Sequence, residues 1–256
     1  MELRNRNFVL IDTETTGYDE KKHQILEIGM LVIKNMEVVA ELEVKVKHRE
    51  YVLTAGAMKA NSIDIVDHEK EALEEKAAAE LILKFLNDNK AEEEEGYIVI
   101  GQNIGFDIKF LEAMFLRCYL IKDYRKVISY RNLDLMQLAL IKNIQGKIDL
   151  EKQDLDHILN KLNIEIPSNR HRALKDCELT YQAMIKLLNL WLWKLWLYWE
   201  LNDILKFNNA VFTKYVIITN NRIIILVSCL LKYTINYILN GRLFGCLNMG
   251  KICVVS

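Results

Sequence analysis

Five side chains in this chain have the types and spacing to do chemistry together: Asp12, Glu14, Asp107, His171 and Asp176. Asp12 and Glu14 lie in FVLIDTETTG, directly after the apolar run Phe8–Ile11. Such a run, stopped by a turn signal, reads as a buried strand. Residues two apart on an extended backbone project to one face, so the two carboxylates stand side by side. Like charges that close raise each other's pKa unless a cation intervenes. A divalent ion is the natural remedy, and oxygen ligands favour Mg²⁺ or Mn²⁺. Thr15, Thr16 and Gly17 add hydroxyls, backbone N–H groups and a turn.

Asp107 lies in GQNIGFD, where Phe106 can anchor a helix start in the core while the acid faces the strand ends. An acid in a first helical turn also simply suits the helix dipole. His171 and Asp176 lie in HRALKD. They need not share a helix face, yet both reach one pocket if His171 precedes the helix. An imidazole titrates near neutrality, which suits a general base. Taken singly, each piece has an ordinary reading: a strand end with a polar turn, a dipole-compensating acid, a surface histidine.

The elements that must hold these residues read as follows. Gln24–Lys34 and Glu37–Lys47 are strands, the second with Val44 and Val46 alternating against Lys45 and Lys47, and Asn35-Met36 is the turn between them. Glu69–Asn87 reads as a helix with Leu73, Ala77, Leu81 and Phe85 along one face. The Glu92–Glu95 run is a solvated loop, and Tyr97–Ile100 is a strand ending at Gly101. Phe106–Tyr119 returns to helical spacing with Phe110, Leu111, Met114 and Phe115 as the buried stripe. Val127–Asp134 follows as a strand, then Leu135–Ile141, Leu155–Leu162 and Arg172–Leu188 as helices, with Ile164–Pro167 linking the last two. Strands first, then helices interleaved with strands, predict an α/β fold with helices on the faces of a sheet and acids where strands end.

With 256 residues, 51% hydrophobic and 27% charged, the chain has the composition of a globular protein with a sizeable core. A net charge of −1 excludes a global basic field, so attraction to a polyanion would be local. Five cysteines without a C-x-x-C pair argue against a disulfide framework or a zinc site. The N-terminal stretch has no signal-peptide hydrophobic region, so a cytoplasmic location is expected.

D-x-E at the end of a first strand, N-x-x-F-D after a later strand and H-x-A-x-x-D opening a late helix occur in one fixed order. This set resembles the DnaQ-like DEDDh 3′–5′ exonucleases, the family of the polymerase III epsilon subunit, ribonuclease T and oligoribonuclease, over roughly residues 7–188. The resemblance implies a ribonuclease H-like mixed sheet flanked by helices, and two-metal hydrolysis of phosphodiester bonds. It implies Asp12 as bridge between two Mg²⁺ or Mn²⁺ ions, Glu14 and Asp176 on one ion, Asp107 on the other, and His171 as base. Thr15 and Thr16 would hold the 3′ end, Asn61 ahead of Ile63 would touch the terminal nucleotide, and Phe106 would pack on a base or in the core. Gln102 stands where the family often has His, without an expected loss of chemistry.

The implied substrate is a nucleic acid with a free 3′ end, foremost single-stranded DNA in proofreading or repair, with a DNA polymerase acting in trans. An RNA-trimming exoribonuclease and a non-catalytic nucleic-acid-binding protein keeping the fold are the alternatives. The exonuclease domain is read as residues 1–188, with 189–256 as a hydrophobic C-terminal extension outside the resemblance. All four tryptophans, Trp191, Trp193, Trp196 and Trp199, fall in that extension. Seven basic residues against two acidic ones give it +5 and leave −6 for the rest. Three readings stay open for it: a packing or self-association surface, loosely structured sequence without a selected role, or contact with membrane. A membrane span is not expected, because Lys232, Thr234 and Asn236 interrupt Ile223–Leu239, which is also shorter than the roughly 20 apolar residues a span needs.

Overall fold

The computed structural model describes residues 7–90, 96–167 and 170–189, and four strands farther on. The acidic run Glu92–Glu95 and the four tryptophans lie outside the described residues. The chain divides into two compact units, Met1–Leu190 and Trp191–Ser256.

The first unit is built on a six-stranded mixed sheet. Its strands are β1 (Phe8–Thr15), β2 (Ile25–Lys34), β3 (Glu37–Lys47), β4 (Leu73–Glu74), β5 (Tyr97–Gly101) and β6 (Ile128–Asp134), in the order β4-β3-β2-β1-β5-β6. β1, β2 and β3 form an antiparallel meander, with β2 and β3 joined at the Asn35-Met36 turn that the sequence predicts, while β5 runs parallel to β1 and β6 parallel to β5. At the β2–β3 turn Asn35 and Met36 both take positive φ. That conformation matches the right-handed twist of the flanking strands, and Asn tolerates it better than most residues.

The helices are α1 (Ala55–Asn61), α2 (Ile65–Glu69), α3 (Glu75–Asp88), α4 (Gly105–Arg117), α5 (Ile121–Val127), α6 (Leu135–Ile144), α7 (Leu155–Lys161) and α8 (Ala173–Asn189). Alternation along β1 sorts them into two layers. Val9 and Ile11 pack in one core with Ile82 and Leu86 of α3, Phe110, Leu111, Met114 and Phe115 of α4, and Tyr124 of α5. Leu10 packs in the other with Leu135 of α6, Ile158 of α7 and Leu179, Met184 and Leu187 of α8. Each fully buried side chain of this kind contributes about 1.5–3 kcal/mol relative to exposure.

Four expectations change. The stretch read as one helix over Glu69–Asn87 is the end of α2, the two-residue strand β4 and α3. Its buried stripe is Ala78, Ala79, Ile82 and Leu86, one residue on from the predicted one, with Leu73 and Leu81 partly exposed. The segment before β6 contains a further helix, α5. Asp12 and Glu14 are not beyond the end of β1 but inside it, because pairing with β2 continues through Thr15.

The second unit contains β7 (Phe212–Thr219) and β8 (Arg222–Cys229) as one antiparallel ribbon, and β9 (Asn236–Leu239) and β10 (Arg242–Gly245) as another. Among the described residues no helix is long and apolar enough to cross a membrane.

Candidate active site

β1 is the strand at which the sheet changes from antiparallel to parallel pairing. On its β5 side, pairing stops at Leu10↔Ile100. On its β2 side, it runs on through Asp12↔Gly29 and Glu14↔Glu27. The two acids are thus held rigidly along one edge while the other edge is open. They share the parity of Leu10 and so face the layer of α6, α7 and α8.

Gly29 decides how near that layer comes. A Cβ at this position would lie 2.4 Å from the backbone carbon of Ala173 and the nitrogen of Leu174. The first turn of α8 therefore rests directly on the rung beside Asp12, and Asp176, 5% exposed, enters the site from there. Asp107 comes from the opposite layer, in the first turn of α4. Thr13, which points to that side of β1, donates its hydroxyl to Asp107 Oδ1 at 2.7 Å. Acids from both layers converge where β1 passes beyond β5.

His171 lies on the segment leading into α8, with φ of +68°. Its Nδ1 is 3.9 Å from Asp176 Oδ2. Glu14, His171 and Asp176 each offer one ligand atom, all within 4.8 Å of one another. The arginines on either side of His171 reach in different directions. Arg170 pairs with Asp156 and places Nε 3.3 Å from Asp176 Oδ1, whereas Arg172 pairs with Glu27 at 2.5 Å.

The electrostatics are those of a cluster short of positive charge. Burial pushes the Asp12 carboxyl well above the usual range, and the charges of Asp107, Asp176 and Glu14 push it further, against the pull of Arg170. Glu14 is raised to about 8, first by burial and then by Asp176 and Glu27. Burial raises Asp107 to about 7 despite the hydrogen bond from Thr13. Burial also raises Asp176, with Arg170 and His171 opposing. Such a donor set, carboxylate oxygens beside one imidazole, suits a hard or borderline divalent cation.

The side chains proposed to touch substrate are mostly occupied. Thr15 Oγ1 donates to the Gly17 carbonyl, and Thr16 Oγ1 accepts from the Gln24 N–H. Buried Asn61 donates to the Thr15 carbonyl and accepts from the Ile63 N–H, so it ties α1 to the end of β1. Phe106 is half-buried and packs on Phe110 with ring centroids 4.7 Å apart. Gln102 donates to the Gln153 carbonyl at 2.7 Å. With Asn103, Leu150, Arg170 and the acids Asp12 and Asp176, it lines a cavity of about 750 Å³.

Sequence reasoning missed Glu27, Gly29 and Arg170. Two of these carried a signal. An acid and a glycine inside the otherwise apolar strand ILEIGMLVIK are out of place unless something pairs with the one and packs closely on the other.

Residues 9–184 match the RNase_T exonuclease family. The chain belongs to that family. It is 27% identical over 201 residues to the DNA polymerase III subunit epsilon of Aquifex aeolicus, covering 78% of this chain and 88% of the relative. It is 28% identical over 185 residues to the PolC-type DNA polymerase III of Thermotoga petrophila, covering 72% of this chain but only 12% of that much longer polymerase. Among solved structures, E. coli Exonuclease I in complex with a dT13 oligonucleotide superposes with a TM-score of 0.62 at 20% identity, over 75% of this chain and 43% of that one. The fold is thus the ribonuclease H-like exonuclease fold, as the sequence motifs imply.

Proposed function

We propose that this chain is a divalent-metal-dependent 3′–5′ exonuclease that removes nucleotides from single-stranded DNA. The observation that carries the reading is the convergence of Asp12, Glu14, Asp107 and Asp176 from one strand and two helix layers, all with raised carboxyl pKa values. Structural acids are dispersed or paired, while a cluster of four, Asp107 and Asp176 buried and Asp12 and Glu14 half-buried, asks for a bound cation. Family membership, the polymerase relatives and the oligonucleotide-bound neighbour support a nucleic-acid end as substrate.

Asp12, Glu14, Asp107 and Asp176 would hold two divalent cations, Mg²⁺ or Mn²⁺. Such ions neutralise the scissile phosphate and lower the pKa of the attacking water. His171 takes that water's proton. Its Nδ1 faces Asp176, which leaves Nε2 as the nitrogen turned to the water. Arg170 orients the Asp176 carboxylate from the opposite side. The exonuclease unit is residues 1–188, and a polymerase would supply the proofreading context in trans.

End-labelled single-stranded DNA and RNA degraded side by side test the reading. Mononucleotides should leave the 3′ end of DNA with Mg²⁺ or Mn²⁺, and EDTA should stop the release. Activity that survives exhaustive chelation, release from the 5′ end, or a preference for RNA would contradict it.

A further inference from the structure

Glu27 takes no part in the chemistry above, yet it is 0% exposed in the middle of the sheet. An ionisable residue is almost never fully buried without a partner. Its partner is Arg172, whose guanidinium lies 2.5 Å from Oε1. His68 of α2 also stands near, with Nδ1 4.0 Å from the same oxygen. His68 Nε2 lies 3.0 Å from the Val46 carbonyl. A carbonyl only accepts, so Nε2 carries the hydrogen, and because burial lowers the His68 pKa and favours the neutral ring, Nδ1 offers Glu27 none. Arg172 is therefore the cation in contact with Glu27, and Lys45 acts on it from farther off.

An ion pair whose acid is fully buried while its Arg172 partner is 37% exposed adds little stability by itself, since well-packed apolar side chains usually do as well or better. Its location points to a different use. Arg172 directly follows His171, whose left-handed backbone is uncommon for a residue with a side chain. Such a conformation persists when its surroundings over-determine it. Both neighbours of His171 are anchored, Arg170 to Asp176 and Arg172 to Glu27. Glu27 is itself the β2 residue paired with Glu14, so the anchor is fixed to the same rung as a site acid. A cavity of about 310 Å³ bordered by Lys45, Asp64, Asp67 and Arg172 gives the guanidinium room to move if the pair is broken.

We infer that the Glu27–Arg172 ion pair is a positioning device that holds His171 against Glu14 and Asp176. The inference rests on the reading of His171 as the base. Arg172 touches neither substrate nor cation in this role. It acts through the neighbouring residue.

The test is kinetics and thermal melting of the full chain carrying Arg172→Met, Arg172→Lys or the pair Glu27→Gln with Arg172→Met, each with and without His171→Ala. Arg172→Met should lower kcat by about ten- to a hundredfold, the scale of a small misplacement of a catalytic group. KM and Mn²⁺ affinity should stay within about twofold, and Arg172→Lys should recover part of kcat because it keeps the charge. Arg172→Met alone strands a buried carboxylate and should melt early. The double variant removes that charge, so its melting temperature should recover while its kcat stays low. In the His171→Ala background, Arg172→Met should cost no further turnover. Recovery of kcat together with melting temperature in the double variant would overturn the positioning role, as would an undiminished effect of Arg172→Met without His171. If His171→Ala alone turned over at the wild-type rate, the base reading would fall first, and the pair would have nothing to position.

Discussion

The two sides of the candidate site are built differently. Asp12 and Glu14 stand on a strand paired with β2 at every rung from Phe8 to Thr15. His171 stands on a short segment outside any helix or strand, with a positive φ and an arginine on each side paired to a buried acid. On the strand side, sheet register sets the position of each carboxylate, and a local change in one side chain leaves the rest in place. On the loop side, position rests on ion pairs to Asp156, Asp176 and Glu27, so the geometry is only as firm as those pairs. Of the four acids proposed to share cations, Asp12 and Glu14 are on the rigid side, and the proposed base His171 is on the adjustable one.

The sharpest way to break this comparison is Asp12→Ala. With its acid gone from the most charge-crowded point of the cluster, turnover should fall below detection while melting temperature holds or rises, because a buried like-charge contact has been removed. Turnover near wild type in an end-labelled DNA assay would mean that the strand is not where the chemistry occurs. His171→Ala should cost less, about 10²–10⁴-fold in turnover, the usual contribution of a positioned base. Calorimetric Mn²⁺ affinity should be nearly unchanged in that variant. Loss of Mn²⁺ binding as complete as in Asp12→Ala would make His171 a ligand, consistent with its place beside Glu14 and Asp176.

Gly29→Ala probes the link between the two sides. The added methyl meets the backbone of Ala173 and Leu174, which has no flexible end to swing away. Overpacking of this kind costs about 1–3 kcal/mol. Melting temperature should fall, and kcat should fall with it as the start of α8 lifts Asp176 from Asp12. An unchanged melting curve would show that α8 is not seated on Gly29 in solution.

What could be read from the sequence follows the same division. The two-residue spacing of Asp12 and Glu14, the β2–β3 hairpin and the α4 stripe of Phe110, Leu111, Met114 and Phe115 are local patterns, and the structure has them. The stripe of α3 was displaced by one residue because the helix starts at Glu75 rather than Glu69, after a short edge strand without a periodicity of its own. α5 has no readable apolar stripe, because most of its seven residues, Ile121–Val127, are polar and only Tyr124 and Val127 are buried. Glu27 and Gly29 stand out in their apolar strand, but their partners, Arg172 and the start of α8, come some 145 residues later. Contacts of that range leave no spacing to read.

The smallest effect is expected from the far end of the chain. Ending it after Asn189 removes none of Asp12, Glu14, Asp107, His171 or Asp176, so kcat on single-stranded DNA should stay within about threefold of the full chain, the range of surface changes away from a site. A folded truncated protein without activity would place part of the site in residues 190–256.

Mn²⁺ titration by calorimetry between pH 6 and pH 8.5 bears most directly on the four-carboxylate cation site. Carboxylates must lose their protons to bind a metal. With Glu14 raised to about 8 and Asp107 to about 7, a cation binding at neutral pH should displace protons from them. Below those values each proton that must leave weakens binding by about tenfold per pH unit, so affinity should climb from pH 6 to pH 8.5 and flatten near the top of that range. At pH 7 the measured heat should differ between buffers of different ionisation enthalpy, because protons are released. Binding that is absent, or that is equally strong at pH 6 and pH 8.5 with heats independent of buffer, would contradict a site in which these raised carboxylates hold the cations.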